Sequence, residues 1–510
     1  MESTPLNASP GLDHLLYRRQ FVLSTQSIYA LSNSRQVLIG GRYHLSAHRD
    51  LELTHIEQTG KSLTLLGFML DPDRPGDTNE QILQRLSGIA WRADKLDDSL
   101  GALGGRWVLI TYDGIETNVL QDATGQRQVY YTRGVGRETS MCASEPGFMA
   151  ECLGLTMAAD AVDFIRSRPT DDYEIYWLPG DTSLFAEIAA LLPNHRLSLT
   201  NGTVHRFSPV QALEPMSHPQ ALAECVRLLR GQVDSARRRY PLAIPMTAGW
   251  DSRLILALNQ EHAEDLYAFT LAYPQLPADS RDVVIPSRLL GKLGIAHHVI
   301  LYPKSIDSGF KETFRRNNVS ANTAYCGDIQ ALHVHYPGER VCVTGDAAEI
   351  VKCYYERSHP QSESVSAIEL AEFSRLGRHP FVVQAFAKWL ESAASPGIDL
   401  IDLFCWEQMA GRWQSKVRAE YDMVQESFSP LNNRRLLSIL LSVDPQSRRA
   451  PDFRFILELI ETLWPEVLSE PINPPERLSR SRQVLNVIKK TGMLKLVPES
   501  TKRKLKEIFR

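Results

Sequence analysis

A short stretch of the sequence combines small, hydroxyl and acidic residues in an order that could bind an anion. Residues 247–253 read Thr-Ala-Gly-Trp-Asp-Ser-Arg, follow the apolar run 242–246 and open a helical pattern at Ser252. The start of a helix attracts anions, because its first backbone N–H groups lack partners and its dipole is positive there. Asp251 lies in this first turn, and a carboxylate beside bound phosphates implies a bridging Mg²⁺. The spacing alone leaves two interpretations open, a phosphate site and a cap that serves only the helix.

The elements that must position this stretch form an alternating pattern. After an amphipathic helix at 222–239, helical periods such as 252–260 and 283–293 separate short apolar runs at 242–247, 266–271, 298–301 and 341–344. Strands that alternate with helices predict right-handed crossovers and a parallel sheet covered on both faces. Ligands bind such sheets beyond the carboxyl ends of the strands, which is where residues 247–253 fall. Beyond residue 368 the pattern is mostly helical.

The first 208 residues have a different pattern. From residue 20 to 131, short apolar runs end at glycine or Asp-Gly, which predicts a β-rich layered domain, and helices are predicted at 81–89 and 158–166. Asn201-Gly202 between two apolar runs predicts a hairpin that closes this domain. The fold class is therefore α/β, with a β-rich domain at 1–208, a linker at 209–219 and a parallel-sheet domain with a helical tail at 220–510.

Composition excludes several classes of protein. Hydrophobic residues make up 43% of the 510 residues and charged residues 23%, as in ordinary globular proteins. A net charge of −4 provides no positive field for a nucleic acid, so we expect no nucleic-acid partner. Seven cysteines without a CxxC pair argue against disulfides and zinc. No run approaches the roughly 18–20 apolar residues of a membrane span, and residues 1–10 lack a basic, apolar leader, so we expect a cytoplasmic protein.

Residues 247–253 resemble the pyrophosphate loop Ser-Gly-Gly-x-Asp-Ser of ATP pyrophosphatases, and their surroundings resemble the asparagine synthetase family. Further segments follow in the order of that family: 266–271, 280–282, 294–298, 344–349 and 429–437. The first domain resembles the family's glutaminase-like domain at 103–107, 121–125, 130–131, 142–145 and 193–195. The resemblance spans nearly the whole chain. It implies an αββα glutaminase-like domain followed by a doubly wound ATP-pyrophosphatase domain.

The resemblance also implies cofactors and site residues. The cofactors are ATP and Mg²⁺. Asp251 and Glu349 hold the metal ion, Asp346 is the base that takes the amine proton, and Tyr325 pairs with Asp346. Arg454 stands near the place of the family's transition-state lysine, with Arg448 and Arg449 as alternatives. The nucleotide-binding set comprises Thr247, Ala248, Gly249, Trp250, Asp251, Ser252, Arg253, Thr270 and Gly345.

The chain departs from the family at several positions. Ala248 and Ala347 replace glycines, Asp346 replaces glutamate, and Lys-Cys-Tyr-Tyr at 352–355 stands where Phe-Gly-Gly-Tyr is usual. Glu2 stands where the family's nucleophilic cysteine follows the initiator methionine. Because that thiol and its free α-amine do the hydrolysis, we expect no glutaminase activity.

Family members without this cysteine resemble β-lactam synthetases and lasso-peptide macrolactam cyclases. This implies an ATP-dependent ligase that adenylates a carboxylate, releases pyrophosphate and joins the acyl group to an amine. The substrate is then a small molecule or peptide that carries both groups. Two alternatives stay open: amidation of a small acid or sugar carboxylate by ammonia, and a catalytically silent scaffold that binds a partner. A homodimer and a complex with an enzyme of the same pathway are both compatible with the sequence.

Overall fold

The computed structural model describes residues 11–475 except 29–33, 134–139, 169–176, 209–215, 274–275, 277–278, 356–364 and 394–396. Most of the predicted linker 209–219 lies outside the described residues. Among the described helices, none is long and apolar enough to cross a membrane.

Two six-stranded antiparallel sheets form the β-rich N-terminal region, which is called the first domain below. The strands are β1 (Phe21–Ser24), β2 (Ser34–Ile39), β3 (Tyr43–His48), β4 (Leu53–Gln58), β5 (Lys61–Leu70), β6 (Gly104–Tyr112), β7 (Thr117–Gln121), β8 (Tyr130–Thr132), β9 (Met141–Ala143), β10 (Ile188–Ala190), β11 (His195–Ser198) and β12 (Thr203–Arg206). The strand orders are β10-β8-β9-β1-β3-β2 and β12-β11-β7-β6-β5-β4. The helices are α1 (Asn79–Ser87), α2 (Ala93–Ala102), α3 (Pro146–Leu153) and α4 (Ala159–Arg166).

Alternation along the strands builds the layers of this domain. On β6, Val108 and Ile110 face the other sheet, whereas Trp107 and Leu109 pack under α1 and α2. This is the two-residue period of a strand that is buried on both faces. Helices α3 and α4 cover the outer face of the other sheet. The layers therefore follow the order helix, sheet, sheet, helix, and the αββα expectation is confirmed.

The second domain contains a five-stranded parallel sheet. Its strands are β13 (Leu242–Pro245), β14 (Tyr267–Ala272), β15 (His297–Leu301), β16 (Val341–Val343) and β17 (Ser427–Phe428), in the order β15-β14-β13-β16-β17. Its helices are α5 (His218–Arg237), α6 (Trp250–Ala257), α7 (Arg281–Lys292), α8 (Ser308–Asn317), α9 (Tyr325–His335), α10 (Ala348–Val351), α11 (Ala367–Phe373), α12 (Pro380–Ser392), α13 (Leu400–Phe404), α14 (Ser415–Tyr421), α15 (Arg434–Ser442), α16 (Pro445–Arg448) and α17 (Arg454–Leu463).

Helices cover both faces of this parallel sheet. Helices α5, α6, α15 and α17 pack on one face, and α8 and α9 on the other, where Phe310 and Phe314 belong to the same buried cluster as Phe269 of the sheet. The doubly wound sheet with a helical tail is therefore confirmed. Several boundaries differ by one to four residues from the predicted ones. Helix α5 begins at His218 because Ser217 and Gln220 form a capping box, a signal that lies before the apolar periodicity.

One irregular segment contributes to the region described below. Between α13 and α14 the chain continues as a π-helix, Cys405–Gln414. Its wider turn is uncommon and occurs often at functional sites. It ends at Gln414, whose amide points to the loop after β16.

Candidate active site

The loop between β13 and α6 is braced by its own side chains. The Ser252 hydroxyl oxygen lies 3.0 Å from the Thr247 carbonyl oxygen and accepts from the Thr247 N–H at 3.3 Å. The Gly249 N–H donates to Thr247 Oγ1 at 3.2 Å. The Ala248 N–H donates to Asp282 Oδ1 at 2.9 Å, so a carboxylate already engages this loop amide. Ala248 is buried and does not adopt a positive φ, so its methyl group causes no backbone strain.

The loop after β16 approaches the first loop closely. A Cβ on Gly345 would lie 2.6 Å from the Asp251 Cβ, so only glycine allows this contact. Ala347 adopts a left-handed conformation, φ 70° and ψ −7°, in the place where the family has glycine. The Ala347 N–H donates to Gln414 Oε1 at 2.9 Å, which holds the loop in that conformation. The two loops follow adjacent parallel strands and form one bay at the carboxyl edge of the sheet.

Three charged side chains meet in this bay. Lys352 Nζ donates to both carboxylate oxygens of Asp251 at 2.8 Å and lies 3.9 Å from Glu349 Oε1. Gln414 Nε2 donates to Glu349 Oε2 at 2.7 Å. Burial raises the pKa of Glu349 to about 7, an effect that Lys352 opposes and Asp251 increases. Burial alone would lower the pKa of Lys352, but the charges of Glu349 and Asp251 outweigh it and raise this pKa.

The predicted metal ligands are brought together, yet their arrangement does not fit a metal ion. The ammonium of Lys352 binds Asp251 and lies beside Glu349, so a divalent cation between the two carboxylates would meet a like charge. Within the described residues, no group of three or more His, Cys, Asp or Glu side chains could hold a metal ion.

Asp346 and Tyr325 lie near one arginine. Asp346 Oδ2 accepts from Thr344 Oγ1 at 2.8 Å and lies 3.2 Å from Arg418 Nε. The Arg418 guanidinium lies 5.0 Å from the Tyr421 ring centroid, and the Tyr421 and Tyr325 rings are 6.3 Å apart. Burial raises the pKa of Tyr325 to about 12, and the charge of Glu420 adds to this shift. Tyr325 is therefore protonated at neutral pH, so its hydroxyl can donate a hydrogen bond but cannot act as a base there.

The predicted arginine positions differ in their surroundings. Arg454 is exposed at the first turn of α17, next to Phe453, whose ring lies 5.7 Å from that of Trp250. The N-terminus of α17 thus lies beside the start of α6. Arg448 is buried and donates to Asp402 at 2.9 Å and to two backbone carbonyls. Arg448 is therefore engaged inside the protein and is not available to a ligand.

Two members of the predicted nucleotide-binding set also have partners inside the protein. The fully buried Arg253 donates to the carbonyl oxygens of Val467, Glu470 and Pro471 at 2.5–3.1 Å. Thr270 Oγ1 donates to the Met246 carbonyl oxygen at 2.8 Å and lies 2.9 Å from His297 Nε2. Both side chains brace the loop from behind, whereas Thr247, Gly249 and Trp250 are at least partly exposed at the bay.

Three residues that sequence analysis did not place in the site belong to it: Asp282, Lys352 and Gln414. Lys352 stood out as a departure from the family, and its spacing of three residues from Glu349 is typical of a helical ion pair. Asp282 lay in a segment matched to the family, but nothing assigned it to the loop amide. Gln414 is 65 residues from Glu349, and no sequence pattern connects the two residues.

No protein-family model matches the chain, and no curated protein matches it. Several solved structures share a low likeness with it. Glutamine phosphoribosylpyrophosphate amidotransferase from B. subtilis, complexed with ADP and GMP, is 12% identical over 62% of this chain and 91% of that chain, with a TM-score of 0.23. Glutamine-dependent NAD⁺ synthetase from Acinetobacter baumannii, in complex with ADP, is 16% identical over 44% and 46%, with a TM-score of 0.21. NMN synthetase from Francisella tularensis is 13% identical over 38% and 93%, with a TM-score of 0.19.

The sheets and helices of the chain define its class. It has an αββα domain joined to a doubly wound parallel-sheet domain, with one bay at the carboxyl edge of the parallel sheet.

Proposed function

We propose that the chain is an ATP-dependent carbon–nitrogen ligase of the asparagine synthetase-like type that adenylates a substrate carboxylate. The observation that carries this proposal is the meeting of two loops after adjacent parallel strands, β13 and β16, with the start of α6 and the ammonium of Lys352 in one bay. Phosphate groups bind where a helix dipole and a cation converge. The carboxyl edge of a doubly wound sheet is the usual place for such a ligand.

The proposed reaction has two steps. A carboxylate oxygen attacks the α-phosphorus of ATP, the bond between the α-phosphorus and the bridging oxygen breaks, and pyrophosphate leaves. The amine nitrogen then attacks the acyl carbon, AMP leaves, and the amine proton passes to a base. The positive end of α6 and Lys352 offset the charge that grows on pyrophosphate. Asp346 is the proposed base, because an ammonium must lose a proton before it can attack.

The identity of the nucleophile separates two specific reactions within this proposal, lactam formation and amidation by ammonia. A tethered amine of the same small molecule or peptide gives a lactam, whereas free ammonia gives a primary amide. Incubation with ¹⁵N-ammonium and mass spectrometry separates them. A lactam has lost one water and carries no ¹⁵N, whereas a primary amide of a small acid or sugar carboxylate carries the label.

A second candidate function is supported by the partners that the bay already has. The Lys352 ammonium and the Ala248 N–H are the two groups that would face phosphates. The first already binds Asp251 and the second already donates to Asp282. A catalytically silent scaffold could keep these contacts permanently. This candidate predicts that the protein binds no ATP.

Pyrophosphate exchange tests the two candidates. The full-length protein is incubated with ATP, magnesium chloride, labelled pyrophosphate and pools of carboxylic acids, and label in ATP is measured. An adenylating enzyme exchanges label with its own acid, and Asp251→Ala should lower that exchange at least 100-fold. The matched control is Asp98→Ala, at an exposed position on α2 in the first domain, which should leave exchange unchanged.

Two outcomes would contradict the ligase proposal. Absence of both exchange and ATP binding supports the scaffold. Exchange that survives in Asp251→Ala shows that the nucleotide binds somewhere other than this bay.

A further inference from the structure

We propose that Lys352 is a tethered cation that takes the place of a divalent metal ion at the Asp251–Glu349 pair. In this chain the two carboxylates would bind a metal ion only after the ammonium has been removed. The inference concerns the side chains of the bay and does not depend on adenylation, so it applies equally to a silent scaffold.

Three of the four carboxylate oxygens of Asp251 and Glu349 accept hydrogen bonds from side chains of the protein. Both oxygens of Asp251 accept from Lys352 Nζ at 2.8 Å, and Oε2 of Glu349 accepts from Gln414 at 2.7 Å. The remaining oxygen, Oε1 of Glu349, lies 3.9 Å from the same ammonium. A Mg²⁺ ion needs oxygens at about 2.1 Å in a nearly octahedral arrangement. No such arrangement fits while the ammonium stays in place.

Two features hold Lys352 in this position, its helical spacing from Glu349 and its burial. Lys352 directly follows the short helix α10, three residues after Glu349, so one turn of helix fixes their relation. Its side chain is 13% exposed, compared with 30% for Asp251 and 19% for Glu349. Lys352 is therefore the least exposed of the three side chains. Its departure would leave two partly buried carboxylates without a counter-charge, which is unfavourable.

The same geometry predicts what a neutral residue at position 352 would produce. The methionine of Lys352→Met has a similar length and no charge, so the two carboxylates would remain close together with Glu349 still oriented by Gln414. A hard cation binds two adjacent carboxyl groups and displaces a proton that they hold, since metal ligands must be deprotonated. We therefore expect Lys352→Met to create a site for a hard cation where the wild-type protein has none.

Cation binding to the full-length protein at pH 7, without nucleotide, tests this inference. Tb³⁺ is titrated with excitation of tryptophan, because Trp250 adjoins Asp251 and can transfer energy to a bound Tb³⁺ ion. Mn²⁺ is titrated in parallel by electron paramagnetic resonance, which does not depend on tryptophan. Lys352→Met should bind both ions at least tenfold more tightly than the wild type. The double variant Lys352→Met/Asp251→Asn should lose this gain.

A second lysine serves as the matched control. Lys388 also pairs with a carboxylate, that of Asp181, but is 56% exposed and lies on α12. Lys388→Met removes the same charge and should leave Tb³⁺ and Mn²⁺ binding at the wild-type level. Equal affinities of the wild type and a folded Lys352→Met would overturn the proposal. So would tight Mn²⁺ binding by the wild type that Asp251→Asn abolishes. If Lys352→Met does not fold, as judged by circular dichroism, Lys352→Ser carries the same test.

Discussion

At the scale of single residues, Gly345 shows how a motif position can have a different physical role from the one that a family resemblance suggests. The sequence placed Gly345 in the nucleotide-binding set because of a resemblance. The structure shows that its missing side chain lets the β16 loop touch Asp251, with a virtual Cβ 2.6 Å from the Asp251 Cβ. Its φ is not positive, so close approach and not backbone freedom requires glycine here.

Replacement of Gly345 by alanine should therefore force the two loops apart. We expect Gly345→Ala to lower the free energy of unfolding by about 1–3 kcal/mol, because an extra methyl group in a filled contact strains its neighbours. Urea denaturation measures the change.

Gly101 in α2 provides the control for this experiment. No atom lies within 4 Å of a Cβ placed on it, so Gly101→Ala should stabilise the protein by about 0.5–1 kcal/mol through the helix. Equal effects of the two substitutions would show that the loops do not meet at Gly345.

At the scale of elements, Arg253 connects α6 to the segment that follows α17. Its guanidinium binds the carbonyl oxygens of Val467, Glu470 and Pro471. Two residues further, the Asn473 N–H donates to the Ala248 carbonyl oxygen at 2.9 Å, so this segment lies against the loop of the bay. Burial lowers the pKa of Arg253 to about 10, and the charge of Glu470 opposes this shift. The arginine thus remains charged at neutral pH.

Substitution of Arg253 should loosen this segment. We expect Arg253→Met to cost about 2–5 kcal/mol of stability, because it leaves buried carbonyl groups without donors. Arg253→Lys should keep only part of the stability that Arg253→Met loses, since one ammonium does not reproduce a planar guanidinium with five donors. Urea denaturation gives the stability, and hydrogen exchange at Asn473 should become faster.

Lys292, the last residue of α7, contacts the same segment and is the matched control. It binds the Ser469 carbonyl oxygen and the Glu470 carboxylate but is 52% exposed. Because exposed ion pairs contribute little, Lys292→Met should cost less than about 1 kcal/mol. If Arg253→Met costs no more than Lys292→Met, the arginine does not hold the segment.

At the scale of the whole molecule, many contacts join the two domains, and two sets of them involve residues 422–437. Residues 429–437, which the sequence matched to the helical tail of the family, reach into the first domain. Asn432 accepts from the Thr124 N–H at 2.8 Å and donates to the Gly105 carbonyl oxygen at 2.7 Å. Arg434 donates to the carbonyl oxygens of Gln121 and Asp122. This motif therefore helps to dock one domain on the other.

A buried ionic cluster forms the second set. Arg106 and Arg127 of the first domain bind Glu426 of the second at 3.0 and 2.9 Å, and Arg106 also binds Asp422 at 2.7 Å. Burial alone would raise the pKa of Glu426, but Arg127, Arg106 and Arg19 outweigh it and lower this pKa to about 2. A carboxylate with a depressed pKa stabilises the folded state above its ordinary value of 4.5 and loses this contribution as pH falls towards 2.

Glu426→Gln should therefore destabilise the protein in a pH-dependent way. At pH 7 we expect a loss of about 3–5 kcal/mol, because the arginines keep their buried charges and lose a partner. The difference between the wild type and this variant should narrow as pH falls below 4.5. Urea denaturation from pH 7 to pH 3 measures it. The exposed Glu466 offers the control, since Glu466→Gln should change stability little at any pH. A difference that is constant with pH would contradict the assignment.

Much of the architecture could be predicted from local patterns. The alternation of apolar runs with helical periods predicted the parallel sheet, and Asn201-Gly202 predicted the hairpin of β11 and β12, because these signals depend on residues close in sequence. Element ends were less predictable, since caps such as Ser217 act outside the apolar period. The meeting of Asp251 and Glu349 was predicted only through the family resemblance of residues 247–253 and 344–349, because no local pattern indicates that β13 and β16 are neighbours.

The sequence by itself did not predict β17, which lies within the predicted helical tail. It did determine the alternation of strands and helices up to residue 344, and it placed the 247–253 loop and the 344–349 loop after strands, at the carboxyl edge of a sheet. Only the tertiary structure decided what fills the space between them. Lys352 binds a carboxylate 101 residues away, and Gln414 binds one 65 residues away. Such contacts depend on how whole elements pack, including the turn of a π-helix, and no local pattern of residue types records that packing.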